Sequence, residues 1–229
     1  MSEIAIDDVA EQLASSTSAA SLRRSVARSE EIEREIVQSP AKFRMLTGDR
    51  PTGNLHLGHY FGSLASRVRL QNAGVETFVL IADYQVITDR DGTGPIRERV
   101  LSLLADYLAI GIDPAQTTIF THSAVPALNQ LMLPFLSLVT HSELLRNPTV
   151  KAELDASGDR PMSGLLLTYP VHQAADILFC KANLVPVGKD QLPHLEQTRV
   201  IARRFDERYG RADPSKPVFG QAEALLSNA

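Results

Sequence analysis

The chain predicts an α/β fold: a parallel sheet with helices on both faces and a helical insertion that interrupts the alternation. Three observations carry this expectation. Thr77-Phe78-Val79-Leu80-Ile81-Ala82 is a near-continuous apolar run ending at Asp83, the pattern of a strand buried on both faces. From Lys42 onward, segments of strand and helix periodicity alternate, and such alternation gives a parallel sheet with right-handed crossovers. Two strand-like runs lead through glycine turns into helices, near residues 48–58 and 185–191.

Residues 1–40 differ from the rest, being rich in Ser, Ala and charge and without Gly, Tyr or Phe. Ile32, Ile36 and Val37 fall at helical spacing, so residues 30–38 read as an amphipathic helix, and Pro40 marks a boundary. The expectation is a polar appendage, partly disordered or helical, followed by one domain over residues 41–229. That domain opens with the strand Phe43-Arg44-Met45-Leu46, a turn rich in Gly, Pro and Thr, and a helix through Leu64, Val68 and Gln71. Pro95 suits a first helical position; Ile96, Val100, Leu103, Leu104 and Leu108 follow at helical spacing, and Gly111 ends that helix. Thr117-Thr118-Ile119-Phe120 is a third strand.

Between residues 125 and 163 the rhythm breaks. Leu128, Leu131, Met132, Phe135, Leu136 and Val139 predict a long helix that Pro134 kinks or restarts. The polar residues 151–160 read as a mobile loop. The apolar surplus of this insertion suits either closure of the core or a dimer contact. A helical stretch then covers residues 165–178. It leads to the strand Leu184-Val185-Pro186-Val187, a turn at Gly188, and a helix from about Asp190 to Tyr209 stopped by Gly210.

A length of 229 residues holds one substantial α/β domain, or a domain with an appendage. With 44% apolar and 22% charged residues a packed core is feasible. The net charge of −4 gives no global signature for nucleic-acid binding and leaves a local basic patch open. Cys180 is the only cysteine, which excludes an intrachain disulfide and argues against a cysteine-based zinc site. No apolar run is long enough to span a bilayer. The acidic start (Glu3, Asp7, Asp8, Glu11) lacks the apolar core of a signal peptide, so the expected location is cytoplasmic.

Three constellations carry chemistry. In the turn after the first strand, Gly48 and Gly53 free the backbone and allow a ligand to approach, and a helix N-terminus suits phosphate. Gly58 leaves room for a flat base, and His56 and His59 can each donate to a phosphoryl oxygen. Two surface histidines at a helix start would also fit, but the order strand, Pro-Thr-Gly turn, helix favours the phosphate site. Second, Tyr169, Gln173 and Asp176 share one helix face. A buried carboxylate and phenol need polar partners, which a helix cap, an internal salt bridge or a small ligand would supply. Ala174 and Ala175 leave space for the ligand. Third, Val185-Pro186-Val187-Gly188-Lys189-Asp190-Gln191 makes a second strand, glycine turn and helix start. The three suit walls of one crevice at the carboxyl ends of the strands, where strand order reverses. His122, His141 and His172 are scattered, and His194 and Glu196 point away from each other on a helix, so no metal site is expected.

His56-Leu57-Gly58-His59 resembles the H-x-G-H signature of class I aminoacyl-tRNA synthetases. Leu184-Val185-Pro186-Val187-Gly188-Lys189-Asp190-Gln191, followed by His194, Glu196, Thr198, Arg199, Ile201, Ala202, Arg203 and Phe205, resembles tryptophanyl-tRNA synthetases of the bacterial type. Ala109-Ile110-Gly111-Ile112-Asp113-Pro114 and Leu167-Thr168-Tyr169-Pro170 match the same family, and the resemblance runs from about Phe43 to Gly210. It implies a Rossmann-like class I catalytic domain that activates L-tryptophan with ATP and Mg2+ and transfers it to tRNA(Trp), and a homodimer formed through the insertion. It implies that Asp176 accepts the indole N–H, that Tyr169 and Gln191 hold the amino group, and that Gln173 belongs to the same pocket. It places Arg50, Pro51, Thr52, Gly58, His59, Gly188, Lys189 and Asp190 at the ATP site and gives His56 and His59 the catalytic role. Positioning and charge stabilisation would then carry an in-line attack of the tryptophan carboxylate on the α-phosphorus.

Departures from the family pattern are Arg50 for Gln, Gln85 for His and Gln173 for Met, which make the implied pocket more polar. The spacing Tyr169-x-x-x-Gln173-x-x-Asp176 also serves some tyrosyl-tRNA synthetases. A tyrosine enzyme is therefore one alternative, and a non-catalytic tryptophan- or ATP-binding paralogue another. The family's second signature, Lys-Met-Ser-Lys-Ser, and its anticodon-reading helical domain do not occur in the 229 residues. Phe219-Gly220-Gln221-Ala222 resembles the approach to that signature loop. The expectation is a chain truncated before it, with catalysis impaired as it stands.

Overall fold

The computed structural model describes residues 22–88, 94–157, 161–210 and 216–226. Five parallel strands, β1 (Arg44–Asp49), β2 (Glu76–Ile81), β3 (Thr117–Thr121), β4 (Leu184–Val187) and β5 (Glu223–Leu226), lie in the order β3-β2-β1-β4-β5. The chain starts at the middle of the sheet, winds out to one edge, and returns past β1 to build the other half. Strand order therefore reverses between β1 and β4. β1 pairs with β2 along its whole length, Arg44 opposite Glu76 through Asp49 opposite Ile81. It pairs with β4 only near the N-terminal ends, Met45 opposite Leu184. Asn183 strengthens that end: Arg44 N–H donates to its side-chain Oδ1 at 2.7 Å. Beyond it the two strands part, and Pro186 brings no N–H to the ladder.

Gly48 sits where β1 and β2 approach most closely, and a Cβ there would strike the Leu80 backbone carbonyl. Its φ is not in the left-handed region. The glycine thus serves sheet packing, and it also lines the crevice between β1 and β4. At Gly53 a Cβ would meet open space.

Helix α1 covers residues 22–38 among those described. It packs on the domain instead of hanging from it. Ile32 and Ile36, one turn apart, are buried with Met45, Leu70, Leu184 and Leu225, while Val37 lies on the opposite face, 83% exposed. Ser29 Oγ accepts the Leu226 N–H at 3.0 Å and so ties the helix to β5. Residues 1–21, for which partial disorder was expected, lie outside the described residues.

After β1 the chain forms α2 (Leu57–His59), a π-helical stretch (Tyr60–Leu64) and α3 (Ala65–Asn72). Helix α4 (Ile96–Ala109) ends as expected at Gly111, whose φ of +102° favours glycine. The insertion holds four helices, α5 (Pro126–Gln130), α6 (Met132–Leu136), α7 (His141–Leu145) and α8 (Pro148–Ser157). The helix expected there restarts at Leu131, between α5 and α6, as Pro134 led to expect, because that proline has no N–H for the Gln130 carbonyl. The loop expected over residues 151–160 is instead helix α8 as far as Ser157. Asn147 Oδ1 caps it by accepting the Thr149 N–H at 3.0 Å, and Pro148 takes the first position. Residues 158–160 lie outside the described residues.

The insertion's apolar surplus closes the core. Leu128 and Phe135 are buried with Val171, Ala174, Ala175 and Leu178 of α9 (Gly164–Phe179) and with Ile201 and Ala202 of α10 (Leu192–Tyr209). Arg204 of α10 holds Glu143 of α7 at 2.6 Å. That hydrogen bond, with the Thr140 N–H, keeps the Glu143 carboxyl down at about 2. No helix of the described residues is long and apolar enough to cross a membrane.

If α1 belongs to the folded unit, Ile32→Ala removes a fully buried side chain and costs about 2–4 kcal/mol. Val37→Ala on its exposed face stays within about 0.5 kcal/mol. Urea unfolding midpoints of the two variants check this; equal midpoints would show that α1 does not pack.

Candidate active site

The parting of β1 and β4 leaves a crevice of about 400 Å3 at the carboxyl end of the sheet. Leu46, Thr47 and Gly48 form one wall and Val185, Pro186 and Val187 the other. Side chains from β1, α3, α8, α9 and the turn after β4 complete it.

One side rests on a buried ion cluster. Asp49, the last residue of β1, accepts from both Nη atoms of Arg67, at 3.0 Å from Nη2, and from the Tyr107 hydroxyl. Burial alone would raise the Asp49 carboxyl, but the Arg67 charge and the hydrogen bonds from Arg67 and Tyr107 outweigh it and hold Asp49 below its ordinary value. Burial likewise works against the Arg67 charge, and Asp49 more than compensates. Among the described residues the Arg67 Nε–H has no hydrogen-bond partner.

The deeper end is built around Asp176, which is buried on α9. Gln85 Nε2 donates to its Oδ2 at 3.1 Å, and His122 Nε2 lies 2.8 Å from its Oδ1. Tyr169 and Gln173, two turns and one turn earlier on α9, open onto the same crevice. The Tyr169 hydroxyl lies 3.3 Å from His194 Nε2. Burial first and the Glu153 charge second raise that hydroxyl, with Arg50 opposing them. Gln173 Nε2 donates to Gln191 Oε1 at 3.3 Å, and Gln191 Nε2 donates to Asp190 Oδ2 at 2.7 Å.

Six of the residues singled out in the sequence therefore line one cavity: Arg50, Tyr169, Gln173, Asp176, Gly188 and Gln191. Pro51 is buried and Thr52 half-buried in the turn leaving β1; Lys189 and Asp190 are exposed in the turn after β4. His56, Gly58 and His59 are exposed at the start of α2. His56 Nδ1 accepts the Gly58 N–H at 3.1 Å, and His59 Nδ1 accepts the His56 N–H at 3.2 Å. Both rings thus carry their proton on Nε2, directed away from the turn, as phosphoryl donors require. A Cβ on Gly58 would meet the His56 ring at 2.9 Å, so this glycine makes room for an imidazole rather than the expected base. Ala174 and Ala175 face the core between α9 and α10 and make no space beside Asp176.

Four site residues escaped the sequence reading. Arg67 stands three residues after Leu64 and three before Leu70, both buried, and a charge on that apolar face is a signal for a buried partner. Tyr107 gave no sign. His122 was read as scattered and Gln85 only as a departure from the family. Asp49 ends β1, Asp83 follows β2 and His122 follows β3. Polar residues at the carboxyl ends of consecutive strands point to a site. His122, His172 and Asp176 each bring a ligand atom within 4.8 Å of the others, a grouping that sequence spacing hides. Hydrogen bonds already engage all three, since His172 Nε2 lies 2.8 Å from Asn129 Oδ1.

A family model described as tRNA synthetases class I (W and Y) matches residues 38–228. The chain belongs to this family. It is 51% identical over 175 residues to the tryptophan–tRNA ligase of Clostridium longisporum, which is 75% of this chain and 51% of that protein. The tryptophanyl-tRNA synthetase of Campylobacter jejuni, solved as a complex with ADP and tryptophan, superposes with a TM-score of 0.72 and 31% identity, covering 81% of this chain and 55% of that one. A tyrosyl-tRNA synthetase of Archaeoglobus fulgidus in complex with L-tyrosine shares the fold at 23% identity and a TM-score of 0.66, over 86% of this chain and 58% of its own. The chain spans about half the length of the curated relatives it matches.

Burial pushes His194 down to about 4, with Asp190 opposing it, and burial also lowers His172. Both are neutral in the fold and protonate more readily when unfolded. Their contribution is fully present above the ordinary histidine value of about 6.5 and is lost as pH falls below it, toward about 4 for His194. Unfolding stability should drop between pH 7 and pH 5, by about 1–2 kcal/mol from His194 alone. His194→Gln should remove that share of the slope in urea titrations at the two pH values.

Proposed function

We propose that the chain is the tryptophan- and ATP-binding part of a tryptophan–tRNA ligase, which forms tryptophanyl-adenylate and transfers the amino acid to tRNA(Trp). One observation carries the reading: at the foot of the crevice a buried carboxylate, Asp176, has each oxygen engaged by a donor from the protein. Such a group accepts and does not donate, and an indole N–H supplies what its free lone pairs lack. The Tyr169 hydroxyl, Gln173 and Gln191, on the same cavity, suit the amino group of the substrate.

ATP would lie across the two turns that leave β1 and β4, with Arg50, Pro51 and Thr52 on one side and Gly188, Lys189 and Asp190 on the other. Arg50 brings positive charge to the cavity, and Lys189 stands exposed beside it. Mg2+ would travel with the triphosphate, held mainly by its oxygens. The tryptophan carboxylate attacks the α-phosphorus, the bond to the bridging oxygen breaks, and pyrophosphate leaves. The Nε2–H groups of His56 and His59 donate to phosphoryl oxygens as charge builds there. The protein would act in the cytoplasm as a homodimer joined through the insertion, where Leu133 is exposed apolar surface that such a contact would cover.

Calorimetric titration with L-tryptophan and, separately, L-tyrosine tests the reading. Tryptophan should bind preferentially, and Asp176→Ala should weaken it at least tenfold, about 1.4 kcal/mol or more. Preference for tyrosine would transfer the site to the sister activity, and binding of neither would reject it. In a chain carrying the full length of its relatives, His56→Ala should slow adenylate formation by roughly 10²–10³-fold, the loss of one oxyanion donor. An unchanged pyrophosphate-exchange rate would move the phosphate site elsewhere.

A further inference from the structure

His122 is buried beside the crevice and held on both edges, and nothing in the proposed reaction uses it. It follows β3 directly and is fully buried. The Tyr84 ring stacks on it at 5.9 Å, and the His172 ring lies 4.5 Å from it. His172 Nε2 is bonded to Asn129 Oδ1, and Asn129 Nδ2 donates to the His122 backbone carbonyl at 3.1 Å. Asn129 thereby ties the two histidines together. On its far edge, His122 Nδ1 lies 3.8 Å from Asp83 Oδ1. That oxygen is itself fixed by the backbone N–H groups of Tyr84 (3.1 Å) and Ser123 (3.3 Å). Ring contacts and backbone bonds leave the imidazole little freedom to turn.

Its near edge decides the chemistry. Nε2 and Asp176 Oδ1 are 2.8 Å apart. Without a proton between them, two acceptors would face each other in a buried site, so the proton sits on Nε2 and the histidine donates. Gln85 supplies the second donor, to Oδ2. We propose that His122 is a specificity-determining positioning residue: with Gln85 it holds Asp176 as an acceptor-only carboxylate, so that the crevice selects bicyclic amino acids carrying a ring N–H and rejects isosteres without one. The proposal rests on the tryptophan reading of the same crevice. A ring lacking the N–H leaves Asp176 with an unmet buried acceptor, and sites built on such a hydrogen bond reject such analogues strongly.

The experiment titrates the chain and two variants with L-tryptophan and with 3-(benzothiophen-3-yl)-L-alanine, which has the shape of tryptophan but no ring N–H. His122→Gln keeps a side-chain N–H donor; His122→Leu keeps none. The unmodified chain should prefer tryptophan by about 100-fold or more. His122→Leu should cut that ratio at least tenfold, while His122→Gln should hold it within about threefold, a rescue that a purely structural role does not produce. A wild-type ratio in His122→Leu overturns the proposal, as does equal loss in both variants. If the unmodified chain binds neither ligand, the tryptophan reading itself falls and this proposal with it. A test that needs no folded variant is the imidazole 15N spectrum of the unmodified chain, with the His122 signals assigned by cross-relaxation between its ring protons and those of Tyr84 and His172, whose ring centroids lie 5.9 and 4.5 Å away. A protonated Nε2 on His122 supports the assignment, and an unprotonated Nε2 overturns it.

Discussion

β1 and β4 are held together at their N-terminal ends and part toward their C-terminal ends, and the crevice exists because of that geometry. Met45 opposite Leu184 and the Asn183 side chain fix the closed end. Continued pairing would bring Gly48 and Val187 into ladder contact and leave no volume between them. The parting frees backbone polar groups of both strands, which must find partners other than each other. A polar ligand seated between the strands meets that demand, and this is the physical reason that reversed strand order in a parallel sheet makes a binding site. The helices follow from the same reversal. Helix α3 returns from β1 toward β2, while α9 and α10 flank β4, so their side chains converge on the gap from opposite sides.

Converging there means burying charge, and the fold handles its two central carboxylates differently. Asp49 is neutralised within the protein by Arg67 and supported by Tyr107. With its charge matched, it serves as a rigid base for the turn that begins at Arg50. Asp176 receives donors from Gln85 and His122, which satisfy one lone pair on each oxygen and leave the others facing the cavity. The first arrangement is closed and structural; the second is open toward a ligand. A buried carboxylate with unmet acceptor capacity is costly in the absence of a partner, and this cost is what turns a hydrogen bond into discrimination.

Four of the five strands were legible because each holds a short β-branched or apolar run, and β2 and β4 fall within a residue of their expected bounds; β5, Glu223–Leu226, was not foreseen, because so short a run shows itself only by pairing with β4. The face shared by Tyr169, Gln173 and Asp176 followed from helical spacing alone. What stayed hidden depends on contacts between distant segments. Arg67 and Asp49 are 18 positions apart and His122 and Asp176 are 54 apart, and no local periodicity records such pairs. Helix α8 was missed because its polar composition suits a loop, whereas its start is set by the Asn147 cap and Pro148. The helix over residues 30–38 followed from the spacing of Ile32 and Ile36, but the surface that these two isoleucines cover, on β1, β4 and β5, is again a contact between distant segments.

The two histidines of the H-x-G-H motif show how local bonding fixes a tautomer. A histidine at a helix start can hold its proton on either ring nitrogen, and only one choice leaves a donor facing outward. Here the backbone makes that choice. The N–H groups of Gly58 and His56 point at Nδ1 of His56 and His59, so a proton on either Nδ1 would meet another proton. Gly58 permits this because its missing Cβ is where the His56 ring lies. The rings sit with centroids 3.9 Å apart, close enough for both Nε2–H groups to address one phosphate. Preorganised donors of this kind need no rearrangement when charge develops. The glycine, the two imidazoles and the helix start therefore form one hydrogen-bonded unit, in which the middle glycine makes room for the His56 ring.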